Sequence, residues 1–120
     1  MVEPVPLPGR RVEPEAGLVN LRRVPWRQVR VAADDRTLTV QYGRGVPQRL
    51  HAVVCTERED SIDVAVVVGW NRELFERAQR ERMVFTLQLL IEHTVVTLDN
   101  PVRGRRLDNC GPGGEAWPPG

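Results

Sequence analysis

At 120 residues the chain is the length of one domain, and its 17 basic side chains against 16 acidic ones leave a formal charge of +1. That balance excludes a general nucleic-acid coat, which needs a basic excess, and the lack of any apolar run of about 18 residues excludes a membrane-spanning helix. An apolar share of 41% permits a self-sufficient core without metals or disulfides.

All the basic residues are arginine. Coding bias in a GC-rich genome is the plain reading; selection for the bidentate guanidinium fork is the sharper one. The opening residues, Met1 to Gly9, hold neither a basic nor an apolar signal-peptide region, so the expected location is cytoplasmic, or secreted where a leader has been trimmed from the chain.

Residues 1–17 carry Pro4, Pro6, Pro8 and Pro14 with Gly9 and Gly17. Proline fixes φ and removes a donor, so this stretch reads as a Pro-rich flexible tail, without true PxxP spacing. Residues 18–109 read as the folded domain. Leu18 to Val24 is a short edge segment ended by Pro25. Gln28 to Ala32 and Thr37 to Tyr42 alternate around the turn Ala33-Asp34-Asp35-Arg36, which predicts a hairpin with Leu38, Val40 and Tyr42 inward. Gly43 to Pro47 breaks the second strand. Leu50 to Glu57 and Ile62 to Val68 form a second hairpin around Arg58-Glu59-Asp60-Ser61, ended by Gly69.

The period changes at Trp70. Asn71 is a good N-cap, Glu73 suits the first turn, and Leu74, Phe75 and Ala78 make a narrow apolar stripe. A helix is predicted over 72–82, braced by Glu73–Arg77 and Glu76–Arg80. Val84 to Leu98 is a long strand with Phe85, Leu87, Leu89 and Ile91 inward; because Val96 and Leu98 fall on the other parity, a bulge or turn is expected near Glu92-His93. Asp99-Asn100-Pro101 turns the chain into a last short basic strand or loop, Val102 to Leu107. Residues 110–120 are a Gly/Pro-rich tail containing Trp117. The fold class expected is all-β or β-dominated, a small sandwich of antiparallel hairpins with one short helix.

Several of these residues also carry a resemblance. Arg36 to Tyr42, Gly45-Val46, Thr56-Glu57 before Ile62-x-Val64-x-Val66, and Thr94-x-Val96-Thr97-Leu98-Asp99-x-Pro101-Val102-x-Gly104-Arg105 form a pattern over roughly 27–108. It resembles a small β-rich domain of actinobacterial proteins, often secreted or lipid-anchored, with no assigned function. The resemblance implies a β-sandwich-like fold and no known activity. Members often carry a cysteine where this chain has Pro47, and the Trp70–Met83 segment is longer and more helical here. Both departures suit an intracellular, phage-encoded relative.

Chemistry-bearing clusters are sparse. His51 and His93 are the two histidines, with no HxH or HxxxH spacing to preorganise a metal. Ser61, the one serine, follows Glu59-Asp60 rather than a nucleophile elbow. Asp34-Asp35 and Glu57-x-Glu59-Asp60 are acidic pairs in turns, where carboxylates are solvated. Gly43-x-Gly45 is too short for a phosphate loop. Cys55 sits in a strand pattern and reads as a buried thiol; its pairing with Cys110 is not decided by sequence.

The function expected is therefore non-catalytic: a protein-interaction module, such as a phage accessory or host-interacting protein. Its candidate partner-binding residues are Arg22, Arg23, Arg103, Arg105 and Arg106, with Trp117 as an anchor in the C-terminal tail. Arg10-Arg11 is a further small basic cluster. The expected partner is another protein, or a second copy joined through an edge strand. Nucleic-acid binding through the arginine clusters is the alternative, and a small metal- or ligand-dependent enzyme built on His51 or His93 ranks last. No cofactor is implied.

Overall fold

A computed structural model of the chain describes residues 3–109, so the candidate Trp117, Cys110 and the tail 110–120 lie outside the described residues. The elements in chain order are β1 (Arg10–Arg11), β2 (Val19–Val24), β3 (Trp26–Val31), β4 (Thr37–Gly45), β5 (Arg49–Glu57), β6 (Ser61–Trp70), α1 (Arg72–Glu81), β7 (Leu89–Thr97) and β8 (Arg106–Asn109). They form two sheets, β1-β7-β4-β3 and β2-β6-β5, with β8 also on β6. The strand-dominated, two-sheet architecture with one helix is the expected fold class.

Both predicted hairpins form. Asp34 makes the first turn: its Oδ1 accepts from the amides of Arg36 (3.0 Å) and Thr37 (2.9 Å), and its Oδ2 accepts from the Thr37 hydroxyl (2.7 Å). These bonds, that of the Thr37 hydroxyl foremost, hold the Asp34 carboxyl below its ordinary pKa. In the second turn the Arg58 amide donates to Ser61 O at 2.8 Å. The chain passes from one sheet to the other at Pro25, between β2 and β3, where an imide nitrogen could not have continued a ladder.

The core lies between the sheets. Leu38, Val40 and Tyr42 of β4 meet Ile62, Val64, Val66 and Val68 of β6, all with no measurable exposure, and Leu50, Leu98 and Val102 close the ends. Strand β6 is also paired along both edges. Its partner on one side is β5; on the other, β8 pairs with Ser61–Val64 and β2 with Val66–Trp70, the two short strands lying end to end. The Asn109 side chain fastens that junction, accepting from Trp26 N and donating to Trp26 O.

Three differences from the sequence reading have physical causes. First, part of the segment 1–17 belongs to the fold: β1 pairs parallel with Glu92 and His93 of β7, Val12 N donates to His93 O, Glu15 N donates to Leu50 O, and the Gln41 side chain donates to Pro8 O. Second, Gly69 does not end β6, which runs on to Trp70. A Cβ at Gly69 would stand 2.6 Å from Leu21 Cδ2, 2.9 Å from Leu18 Cβ and 2.9 Å from Val19 O, so glycine is there for close approach of β2. Third, β7 has no bulge. It pairs in unbroken register with β4 from Thr37↔Thr97 to Gly45↔Leu89, which turns Leu90, Glu92, Thr94 and Val96 to the same face as Tyr42 and Val40. The inward parity is thus the even one; Leu87 and Leu89 are exposed.

The helix has the predicted N-cap, with Asn71 Oδ1 accepting from Leu74 N at 3.1 Å, and Arg82 closes it in the left-handed conformation. Its ion pair among the described residues is Arg77–Glu81, not Glu73–Arg77 or Glu76–Arg80. Trp70 binds it to the sheet by edge-to-face contacts with Phe75 (5.5 Å) and Phe85 (5.4 Å).

The crowding at Gly69 generates a prediction. Gly69→Ala will destabilise the domain by about 1–3 kcal/mol, because two of the three nearest atoms belong to the backbone or to a Cβ and cannot rotate away. Urea unfolding will show a lower midpoint with an unchanged slope; an unchanged midpoint would mean that β2 is not held as closely as described.

Candidate functional site

The even parity of β7 places a carboxylate inside. Glu92 lies opposite Tyr42, and its side chain is 5% exposed. Tyr42 Oη donates to Glu92 Oε1 at 3.1 Å, and Arg44 Nη2 donates to Oε2 at 2.9 Å. Arg10 Nη2 approaches Oε2 at 3.5 Å from β1. Arg44 also donates to the carbonyls of Gly45 and Val46, 3.1 Å each. Burial, and then the neighbouring Glu92 charge, push the Tyr42 phenol far above its ordinary pKa, so it remains a donor. A cleft of about 280 Å³ opens beside the cluster, with Glu13, Arg49, Leu50 and Leu74 among its lining residues. Chemically the group is an accept-only carboxylate surrounded by permanent donors, three strands of one sheet joined at a single ion.

A second polar cluster lies at the turn after β7. Arg105 Nη2 meets Glu57 Oε1 at 3.0 Å and Pro101 O at 2.6 Å, while its Nε and Nη1 donate to Val102 O and Arg58 O. Glu57 Oε2 accepts from Asp99 N at 3.0 Å. Arg36 donates to Leu98 O and Asp99 O, and Asp35 accepts from Val102 N and Arg103 N. Arg103 and Gly104 take positive φ, 49° and 73°. The Arg36, Glu57, Asp99, Pro101 and Gly104-Arg105 of the resemblance thus converge on one corner of the sandwich, built from backbone carbonyls and an inward arginine.

The predicted partner-binding residues among those described fall in four situations. Arg22 and Arg23 are half-buried on β2, paired with Val68 and Val67 in register, so they address opposite faces of the sheet. Arg105 has its donors turned inward, with its side chain 14% exposed. Arg106 is exposed but forked onto Asp108, at 2.7 and 3.1 Å, which raises the Arg106 pKa and lowers that of Asp108. Arg103 is exposed, held by its backbone. These side chains do not form one surface. His51 and His93 lie on different sheets, each with a buried Nδ1 lacking a hydrogen-bond partner among the described residues. No group of three His, Cys, Asp or Glu suited to a metal occurs among the described residues. Cys55 is half-buried against the core.

Sequence reasoning missed a different surface. Between α1 and β7, residues 83–88 belong to no helix or strand. Val84 is 93% and Leu87 105% exposed, followed by Leu89 at 55%, with Met83 at the rim. From Met83 to Ile91 the chain holds no charged residue. Phe85 is turned back onto Trp70. The signal was present: the alternating pattern of this stretch outlasts the strand it pairs with, because β4 ends at Gly45 and Pro47 turns the chain away.

No protein-family model, no curated protein and no solved structure matches this chain. Among the described residues, no helix is long and apolar enough to cross a membrane.

Two predictions follow from the polar clusters. Arg44→Met leaves Glu92 buried without its closest cation and will cost about 3–5 kcal/mol of unfolding free energy, measured by denaturant titration. A loss below 1 kcal/mol, the size of an exposed pair, would contradict this burial. At the other cluster, the hydrogen bond from Arg105 foremost, then that from Asp99 N, holds the Glu57 carboxyl below its ordinary 4.5. A depressed folded-state pKa contributes stability above the unfolded value and loses it as pH falls through the folded one. Thermal melts will therefore show wild type above Glu57→Gln near neutrality, with the gap closing as pH drops below 4.5. A gap independent of pH would show that the carboxylate's charge is not what Arg105 uses.

Proposed function

We propose that the protein is a non-catalytic protein-interaction module whose contact surface is the apolar ridge Met83–Leu89. The observation that supports this reading is the exposure of Val84 and Leu87, 93% and 105%, in an uncharged stretch beside a strongly charged helix. Soluble domains rarely leave neighbouring large apolar side chains in water unless a partner covers them. The rest of the domain supports the ridge: Trp70 and Phe85 pin its middle, and the register of β4 on β7 sets where it begins. The arginines fit a role at the periphery, since Arg105 and Arg106 already have partners within the fold. A phage accessory or host-interacting protein is the form of this reading that the sequence resemblance supports.

Immobilised wild type and a Val84→Lys/Leu87→Lys variant, incubated with host lysate and separately with the free wild-type chain at low and moderate salt, test the reading. A protein retained by wild type at both salts and lost from the variant is the expected result. Equal retention by both, or recovery of nucleic acid alone that washes off with salt, would overturn it and return the arginine clusters to candidacy.

A further inference from the structure

We propose that the partner of the ridge is a second copy of this chain, joined by antiparallel pairing of residues 83–89 about a two-fold axis at Thr86. This rests on the interaction-module reading and names its partner.

The backbone supplies the first argument. Apart from the Met83 amide, which closes the helix on Ala78 O at 3.1 Å, residues 83–88 make no backbone hydrogen bond among the described residues. They lie directly before β7, whose first residue, Leu89, is already paired with the last residue of β4. A period-two segment with vacant amides and carbonyls is a template for strand addition.

The side chains supply the second. Antiparallel pairing about Thr86 sets Met83 opposite Leu89, Val84 opposite Gln88 and Phe85 opposite Leu87. Every pair is uncharged, and the axis carries a Thr–Thr pair, a favourable cross-strand combination. An isologous interface demands that one surface complement itself, and a neutral run of nine residues in a chain with 28% charged residues meets that demand without like charges facing each other. A heterologous partner would require no such symmetry in the run.

Sedimentation velocity of the full chain across a concentration series, in reductant to exclude thiol-linked species, reads the assembly. Wild type is expected to double its mass with rising concentration. Thr86→Asp and Thr86→Arg place two like charges face to face on the axis, so each alone is expected to remain monomeric. Their equimolar mixture, with opposite charges on the axis, is expected to recover the doubled mass. Thr86 is exposed, and circular dichroism of both variants checks that the fold is intact. A wild type that stays monomeric overturns this pairing but leaves the interaction module standing if the ridge still retains another protein. A dimer that survives in both single variants, or a mixture that does not recover it, overturns the pairing as well.

Discussion

The burial of the Glu92 charge constrains this fold more than any other single contact. Removing a carboxylate from water costs several kcal/mol even after relaxation, and the cost is offset only where donors are in place. Tyr42 and Arg44 supply them from β4, and Arg10 from β1. Slipping β7 by one residue on β4 would turn Glu92 to the opposite face and bring His93 in, so the ion fixes register as well as position. Register in turn decides where β4 runs out. Gly45 meets Leu89, and everything before Leu89 is left without a partner strand. The exposed ridge is thus a geometric result of where the buried ion sits.

The opposite end of the sandwich is held by other means. Arg105 reaches inward to four carbonyls and Glu57, while Arg36 takes the carbonyls of Leu98 and Asp99. A loop of this kind cannot satisfy its backbone through a ladder, so arginine forks do it instead. Lysine, with a single nitrogen, would reach one or two of these acceptors. The arginine-only composition therefore has structural use at this corner, whatever its origin in coding bias.

The hairpins, the Asp34 turn, the Asn71 cap and the inward faces of β4 and β6 were legible because each rests on local chemistry: alternation, side-chain-to-backbone bonding and β-branched residues. The face of β7 was not. Phe85, Leu87, Leu89 and Ile91 are the more apolar parity, yet the inward residues include Glu92 and Thr94. A pairing across the sheet, Tyr42 with Glu92, outweighed hydrophobic alternation, and no local rule sees a partner fifty residues away. The site suffered likewise. Arg105 and Arg106 read in the sequence as candidate partner contacts because their acceptors, Glu57 and the carbonyls of the corner for one and Asp108 for the other, are identified only in the fold. The 83–88 ridge was missed for a related reason: its alternation reads as a strand, and only the fold shows that no strand of the domain lies beside it.

The two parallel strands at the extremities, β1 and β8, bear on how the molecule assembles. The β3–β4 and β5–β6 hairpins close short loops and can form as soon as their residues meet. By contrast, β1 docks on a strand some eighty residues later in the chain, and β8 docks beside the first residues of β6 only after the helix and β7 have been laid down. Closing such long loops carries its entropic cost before any ladder bond is made. Among the paired strands these are then the last to lock and the first to open, so within the two sheets amide exchange should be fastest at Arg10–Arg11 and Arg106–Asn109 and slowest along β6, giving the domain a rigid middle strand between two late-closing clasps.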